Sequence, residues 1–330
     1  MCGRSGYSRG RGPCRGIHHR AVPARSPVLT RRQADLALLL ATALWGTSFV
    51  AVKTALADAT PFAFLTVRFG VAALVLLPGT RLTPAPAGRE LWGGLLLGAL
   101  VAVGFLAQTA GLVITTPSRS AFIVAASSVL APVIALGLRS ERPGSLTVAA
   151  LLLATLGIYL LTAPDAGGLN RGDLLTLICA ACFGGQIVAV TELTKQYDPR
   201  RLVFVQVAAT AVVAALAAML LERPRIVWTP RFLGSLGYTV AFASTICFLL
   251  QMRAQRAMSI ARAALIFCFE PLFAAVTAWL VLGERLSLVQ WAGGALILVG
   301  MVLPELPGAS AVGRDRSSLP SGTSRTTDDG

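Results

Sequence analysis

Apolar residues run through the chain in blocks of close to 20, from about residue 34 to residue 303, broken only by short clusters of charge, proline and glycine. That length suits a helix crossing roughly 30 Å of hydrocarbon at about 1.5 Å per residue. The breaks predict ten spans, at 34–56, 62–77, 91–111, 118–138, 146–161, 174–193, 202–221, 232–252, 260–282 and 288–303. The expected fold is an all-α integral membrane protein. The polar flanks, 1–33 and 304–330, read as disordered, the first basic and the second rich in Ser, Gly and Pro.

Composition agrees, with 55% hydrophobic and 13% charged residues. The net charge of +14 would suggest an anionic partner, but residues 1–33 alone hold eight Arg and no acid. That tail is expected to keep the N-terminus cytoplasmic, drawn to anionic lipid, and no nucleic acid is expected to bind it. With the N-terminus inside, the inner connections carry ten Lys and Arg against seven outside. Ten spans return the C-terminus to the cytoplasmic side of the cell membrane. The stretch 222–231, with Arg223, Arg225 and Arg231, runs against the charge rule, and the pattern gives no account of it.

The only histidines, His18 and His19, lie in the tail, so the apolar core has no histidine for catalysis. Cys179 and Cys182 form a C-x-x-C inside an apolar run, where Cys packs as a small residue. No metal and no cofactor are expected.

The chain repeats itself. "ALWGTSFVAVK" from Ala43 aligns with "ACFGGQIVAVT" from Ala181 at an offset of 138, which also pairs Gly46 with Gly184, Pro61 with Pro199 and Arg68 with Gln206. Further on, "APVIALGLRSER" resembles "EPLFAAVTAWLVLGER", and Gly157 matches Gly300. Five spans per copy is an odd number, so the copies, 34–162 and 172–303, should enter the membrane with opposite polarity. Pro132 and Glu141 are nine residues apart but Pro271 and Glu284 thirteen, which predicts that about one helical turn is missing from the first copy.

The early "WG" followed by Lys53, the "RF" at Arg68–Phe69, and "EPLFAAVTAWLVLGERLSLVQWAGGALILVG" resemble the EamA-type family of the drug/metabolite transporter superfamily. The resemblance spans 34–303. It implies ten transmembrane helices in two inverted five-helix repeats around a central substrate cavity. It names no substrate, because the family carries amino acids, other metabolites, sugars and drugs.

Several residues stand out on their own chemistry. Glu270 lies in the middle of its span, where an acid costs roughly 2.5–3.5 kcal/mol on insertion scales and so faces a cavity or a partner. Pro271 follows it and withholds a helical hydrogen bond from the carbonyl of Phe267, and Pro132 is a second candidate helix break. Arg68, about 10 Å below the outer end of its span, could pair with Glu270, bind a substrate carboxylate or snorkel outward. Trp45 sits within its helix beside Gly46, where it can face a cavity or simply pack. Gln186, Gln206, Gln108 and Thr245 can line a pathway or bond between helices. Lys53, near the boundary, reads as an interfacial anchor.

The sequence thus reads as a multi-pass permease that moves a small amino acid-like or drug-like metabolite by alternating access, in the export direction. Its expected partners are the solute, the bilayer and protons as coupling ion. Oligomeric state stays open, a homodimer included. The alternative is an uncoupled channel-like facilitator on the same fold, and a remote one is an intramembrane enzyme.

Overall fold

A computed structural model of the chain describes residues 29–80, 88–115, 117–138, 140, 144–161, 170–282 and 287–303. The tails upstream of residue 29 and beyond residue 303, and the residue pairs Glu141–Arg142 and Glu284–Arg285, lie outside the described residues. The first half carries α1 (Arg31–Ala55), α2 (Pro61–Leu76), α3 (Gly88–Ile114), α4 (Pro117–Gly137) and α5 (Ser145–Leu161). The second carries α6 (Arg171–Gln196), α7 (Pro199–Leu221) and α8 (Pro230–Tyr238), followed by a π-helical stretch (Thr239–Ile246) that leads into α9 (Cys247–Gln255). Then come α10 (Ile260–Phe267), α11 (Glu270–Leu282) and α12 (Leu288–Val302).

Local chemistry sets the helix starts. Thr30 and Gln33 form a capping box at α1, and Asn170 and Asp173 form one at α6. Asp198, Thr229 and Ser259 cap α7, α8 and α10 with their side chains. Proline stands in the first turn of α2, α7 and α8, where its missing N–H costs nothing.

Among the described residues, seven helical stretches are long and apolar enough to cross a membrane. They are α1, α2 with the turn after it, α3, α6, α7, Pro230–Gln255 and Ile260–Val281. The other three stretches predicted as spans are helical, but their apolar runs are shorter. The α5 and α12 helices have 17 and 15 residues, and the clear apolar run of α4 is Ile123–Gly137. Apolar side chains such as Leu74, Met219 and Leu220 point away from the protein. That suits lipid as the surrounding medium.

Packing is reciprocal between the halves. The α3 helix lies on α6 and α7, while the α8–α9 rod lies on α1 and its π stretch on α2. The α4 helix lies on α6, and α11 lies on α1. The α2 helix meets α7, α5 meets α12, and α4 meets both α10 and α11.

Two glycines fix the register. A Cβ on Gly46 would stand 2.7 Å from the Glu270 carbonyl oxygen, 2.7 Å from Phe273 Cβ and 3.0 Å from Ala274 N. One on Gly184 would meet Leu130 Cβ at 3.0 Å, Ser127 O at 3.3 Å and Ala131 N at 3.4 Å. The glycines are 138 residues apart, and their seats (Glu270 and Ser127, Phe273 and Leu130, Ala274 and Ala131) are each 143 apart. This corrects the proline alignment: Pro271 corresponds to Ser128 and Pro132 to Ala275. Glu141 and Glu284 also stand 143 apart, as do Gly157 and Gly300, so no turn is missing from the first copy.

Pro132 does not break its helix, because α4 continues through it from Pro117 to Gly137. Packing against α6, α10 and α11 holds both flanks in place, and such neighbours let a membrane helix tolerate a lost hydrogen bond. Pro271 behaves differently. Here α10 stops at Phe267, Cys268 and Phe269 turn, and α11 starts at Glu270.

The charged stretch 222–231 finds its partners in the turn between α1 and α2. Glu222 accepts from Ala63 N at 2.7 Å, Phe62 N at 3.3 Å and the Thr60 hydroxyl at 2.8 Å. It thereby caps α2, whose own Thr60 makes no side-chain cap bond. Ala59 and Ile226 form an isolated antiparallel bridge. Asp58 accepts from Arg231 at 3.1 Å and from the Thr229 hydroxyl at 2.8 Å. At the start of α7, Glu90 of α3 accepts from Arg201 and from Asp198 N, both at 3.4 Å. In both places an acid from one half serves a helix start in the other.

Two outcomes follow from these contacts. Gly46→Ala forces a methyl onto backbone, and overpacking of this kind costs about 1–3 kcal/mol. Its melting temperature in detergent should fall clearly, while Gly70→Ala, with nothing within 4 Å of the new methyl, should leave it nearly unchanged. Equal melting temperatures would mean that the α1–α11 contact is loose. The second outcome concerns pH. Hydrogen bonds from Arg231 and Thr229 hold the Asp58 carboxyl below its ordinary range. A depressed folded value stabilises above the unfolded pKa and is lost as pH falls through the folded value. The gap in thermal stability between wild type and Asp58→Asn should therefore close on acidification; a constant gap would contradict the pairing.

Candidate functional site

The break between α10 and α11 opens onto a cavity that both halves line, with about 660 Å³ of empty space counting its open mouth. From the first half come Trp45, Ser48, Phe49 and Val52 of α1, Arg68 of α2, Val101, Phe105, Gln108 and Leu112 of α3, and Ser127 of α4. Phe183, Gln186 and Ile187 of α6, Phe248 and Gln251 of α9, and Phe267 and Glu270 at the break complete it. The two charged groups in this lining are Arg68 and Glu270.

Glu270 is the first residue of α11, so its carboxyl sits at a helix N-terminus, where the macrodipole favours negative charge. It is partly exposed, to the cavity it lines. Arg68 is 1% exposed and does not snorkel. Its Nε donates to the Ser244 hydroxyl at 2.7 Å, and its guanidinium carbon lies 4.8 Å from the Phe105 ring centre and 5.0 Å from that of Phe69. Its Nη2 is buried with no hydrogen-bond partner, and no ion pair joins Arg68 to Glu270 among the described residues.

The π stretch organises this wall. Its wider turn shifts the backbone hydrogen bonds, and the Ala243 carbonyl accepts from Trp45 Nε1 at 2.8 Å while Ser244 holds Arg68. Trp45 also meets Phe248 edge-on at 5.4 Å and Phe267 at 6.0 Å. Just before the π stretch, the Tyr238 hydroxyl contacts Thr47 and donates to the Leu44 carbonyl at 3.2 Å. Phe105 in turn meets Phe69 at a tilt and Phe183 and Phe248 edge-on.

The structure brings five of the seven singled-out polar or aromatic residues to the cavity: Glu270, Arg68, Trp45, Gln186 and Gln108. Gln206 stands behind the wall and accepts from Gln186 at 3.3 Å. Thr245 does not reach the cavity, and its hydroxyl donates to the Val240 carbonyl of its own helix at 2.8 Å. The Lys53 ammonium donates to the carbonyls of Leu112, Val113 and Thr115 and closes the C-terminus of α3. Among the described residues no group of three or more His, Cys, Asp or Glu could hold a metal ion. Cys179 and Cys182 are free thiols, Cys179 packed among Phe49, Ala121 and Val124.

Comparison with known proteins now decides the family. The EamA-like transporter family matches the chain twice, over residues 32–163 and again over 170–304. The chain belongs to the EamA-like transporter family, within the drug/metabolite transporter superfamily. An uncharacterized transporter of Archaeoglobus fulgidus is 34% identical over 276 residues, covering 84% of this chain and 87% of its own length. An uncharacterized transporter of Bacillus subtilis is 27% identical, with 82% and 92% covered. A chloroplastic WAT1-related protein of Arabidopsis thaliana is 28% identical, with 80% and 67% covered. A solved crystal structure superposes with a TM-score of 0.69 over 83% of this chain and 96% of its own, at 19% identity, which supports the fold alone. The chain is a multi-pass membrane transporter with a small-molecule substrate, and its relatives' names indicate a transporter rather than an enzyme.

Sequence reasoning missed several parts of this EamA-like site. Gln251 exchanges amide bonds with Gln186, donating at 2.9 Å and accepting at 3.2 Å, but it sat beside the predicted end of its span, while the helix runs on to Gln255. Ser127 becomes visible as the counterpart of Glu270 once the offset of 143 is known. The cavity phenylalanines have no composition that separates them from lipid-facing ones.

Ser244→Ala removes the hydrogen bond to the buried guanidinium and should destabilise by about 1 kcal/mol, the scale of a membrane-interior hydrogen bond. Thr245→Val deletes a hydroxyl that serves its own helix and should change neither stability nor transport appreciably. Loss of transport in Thr245→Val with Ser244→Ala unaffected would reverse the assignment of these neighbours.

Proposed function

We propose that the chain is a ten-span permease of two inverted five-helix copies, 34–162 and 172–303, moving an amino acid-like or drug-like metabolite by alternating access. The proposed location is the cytoplasmic membrane, with both termini inside and export as the direction. The observation that carries the reading is the cavity between the halves, with Glu270 placed on it at an interrupted helix. Binding sites at repeat interfaces, built on discontinuous helices, are the architecture of secondary transporters. The reciprocal packing, the paired glycine seats and the double family match support the inverted repeat.

In this reading Glu270 exchanges a proton or binds a basic group of the solute in the course of transport. Glu270→Gln keeps size and hydrogen bonding but cannot ionise. Reconstituted in liposomes, the variant should still exchange substrate across the membrane yet lose accumulation driven by a pH gradient. Failure of exchange as well would assign Glu270 to substrate binding, and unchanged accumulation would remove it from coupling. A wild type that never accumulates substrate against a gradient would be an uncoupled facilitator. Topology has its own check: reporters fused after Leu56, Arg81 and Gly330 should read outside, inside and inside.

A further inference from the structure

We infer that the cavity is built for a small organic monocarboxylate, whose anionic head pairs with Arg68 and whose apolar body lies against Phe105, Phe183, Phe248 and Trp45. The inference rests on the transporter reading for its consequence, but its evidence is the wall itself. Arg68 is buried, its Nε is held by Ser244, and the neighbouring rings of Phe69 and Phe105 pack side by side against its guanidinium. Aromatic faces stabilise a cation, but they accept nothing from its edge. Nη2 is left without a partner in a wall of the cavity, and no carboxylate among the described residues comes within ion-pair distance.

A buried charged donor without an acceptor is costly, and the partner that relieves it here must come from outside the chain. The edge of a guanidinium matches a planar oxyanion, which it grips with two parallel hydrogen bonds. The rest of the lining sets the size and charge of the guest. Arg68 is its single cation, so a second negative group on a phosphate ester or a dicarboxylate would find no partner in the lining. The aromatic walls take an apolar or aromatic body. Gln186 and Gln251 satisfy each other and add no net charge.

Three probes that share a benzyl body test this on the purified full-length protein in detergent at neutral pH: phenylacetate, its neutral isostere phenylacetamide and cationic phenethylamine. Calorimetric titration should show phenylacetate binding at least about tenfold tighter than the other two, since a site with an unpaired buried donor rejects a guest that cannot satisfy it. Arg68→Gln should remove that preference, and Arg68→Lys, a cation without the fork, should keep only part of it. If neither variant folds, the ranking in the wild type decides alone. Equal or tighter binding of the amide or the amine, binding of none at millimolar concentration, or an undiminished preference in Arg68→Gln would overturn the inference. Liposome flux separates it from the transporter reading. Phenylacetate that binds but never crosses would defeat transport and leave the site assignment standing. A neutral or cationic solute that crosses, with no competition from phenylacetate, would do the reverse.

Discussion

A guanidinium buried in an apolar bundle is the constraint around which the rest of the site is arranged. Arg68 stays charged at any physiological pH, so its desolvation has to be offset by geometry. The Ser244 hydroxyl on Nε and the Phe69 and Phe105 rings, side by side against the guanidinium, supply part of that offset and leave Nη2 without a partner. Ser244 is in position because the backbone there is π-helical, and the same stretch offers the Ala243 carbonyl to Trp45. Trp45 packs in turn on Phe248 and Phe267, which tie the wall to the start of the break at Glu270. The cation, the π stretch, the indole and the broken helix form one contiguous unit.

The second constraint is steric. Gly46 admits the α10–α11 break against α1, and Gly184 admits α4 against α6 in the same way. The two seats present different chemistry, a carboxyl at Glu270 and a hydroxyl at Ser127, both on the cavity. The two matched seats thus differ at the pair of positions that line the cavity. The polar contacts at the helix ends follow the same reciprocity. Glu222 caps α2 from the other half and Glu90 serves the start of α7, while Arg262 and Asp35 join α10 to α1 at 2.7 Å.

Much of this was legible in the sequence because charge inside an apolar run has few explanations. Glu270 and Arg68 stood out for that reason, Gln186 as an uncharged polar residue in the same setting, and all three reach the cavity. The helices were legible because hydrocarbon thickness dictates block length. What the sequence hid has physical causes too. A π turn has no periodicity that tells it from an α turn over eight residues, so Ser244 and the loss of Thr245 to its own backbone were invisible. Phenylalanine looks the same whether it faces lipid or a cavity. Prolines draw the eye in an alignment, yet here the register belongs to the glycines, and the match of Pro132 with Pro271 misplaced a turn that is not missing.

Cysteine accessibility tests most directly whether this cavity is the solute's path. Ser48→Cys, in a background with the native cysteines replaced, puts one thiol on the cavity wall. Membrane-impermeant thiol reagents would be applied to right-side-out and to inside-out vesicles. The thiol should react from both faces, and a bound solute should slow both reactions. Reaction from neither face, or from both faces at rates that no solute alters, would contradict a cavity that opens by turns to the two sides of the membrane.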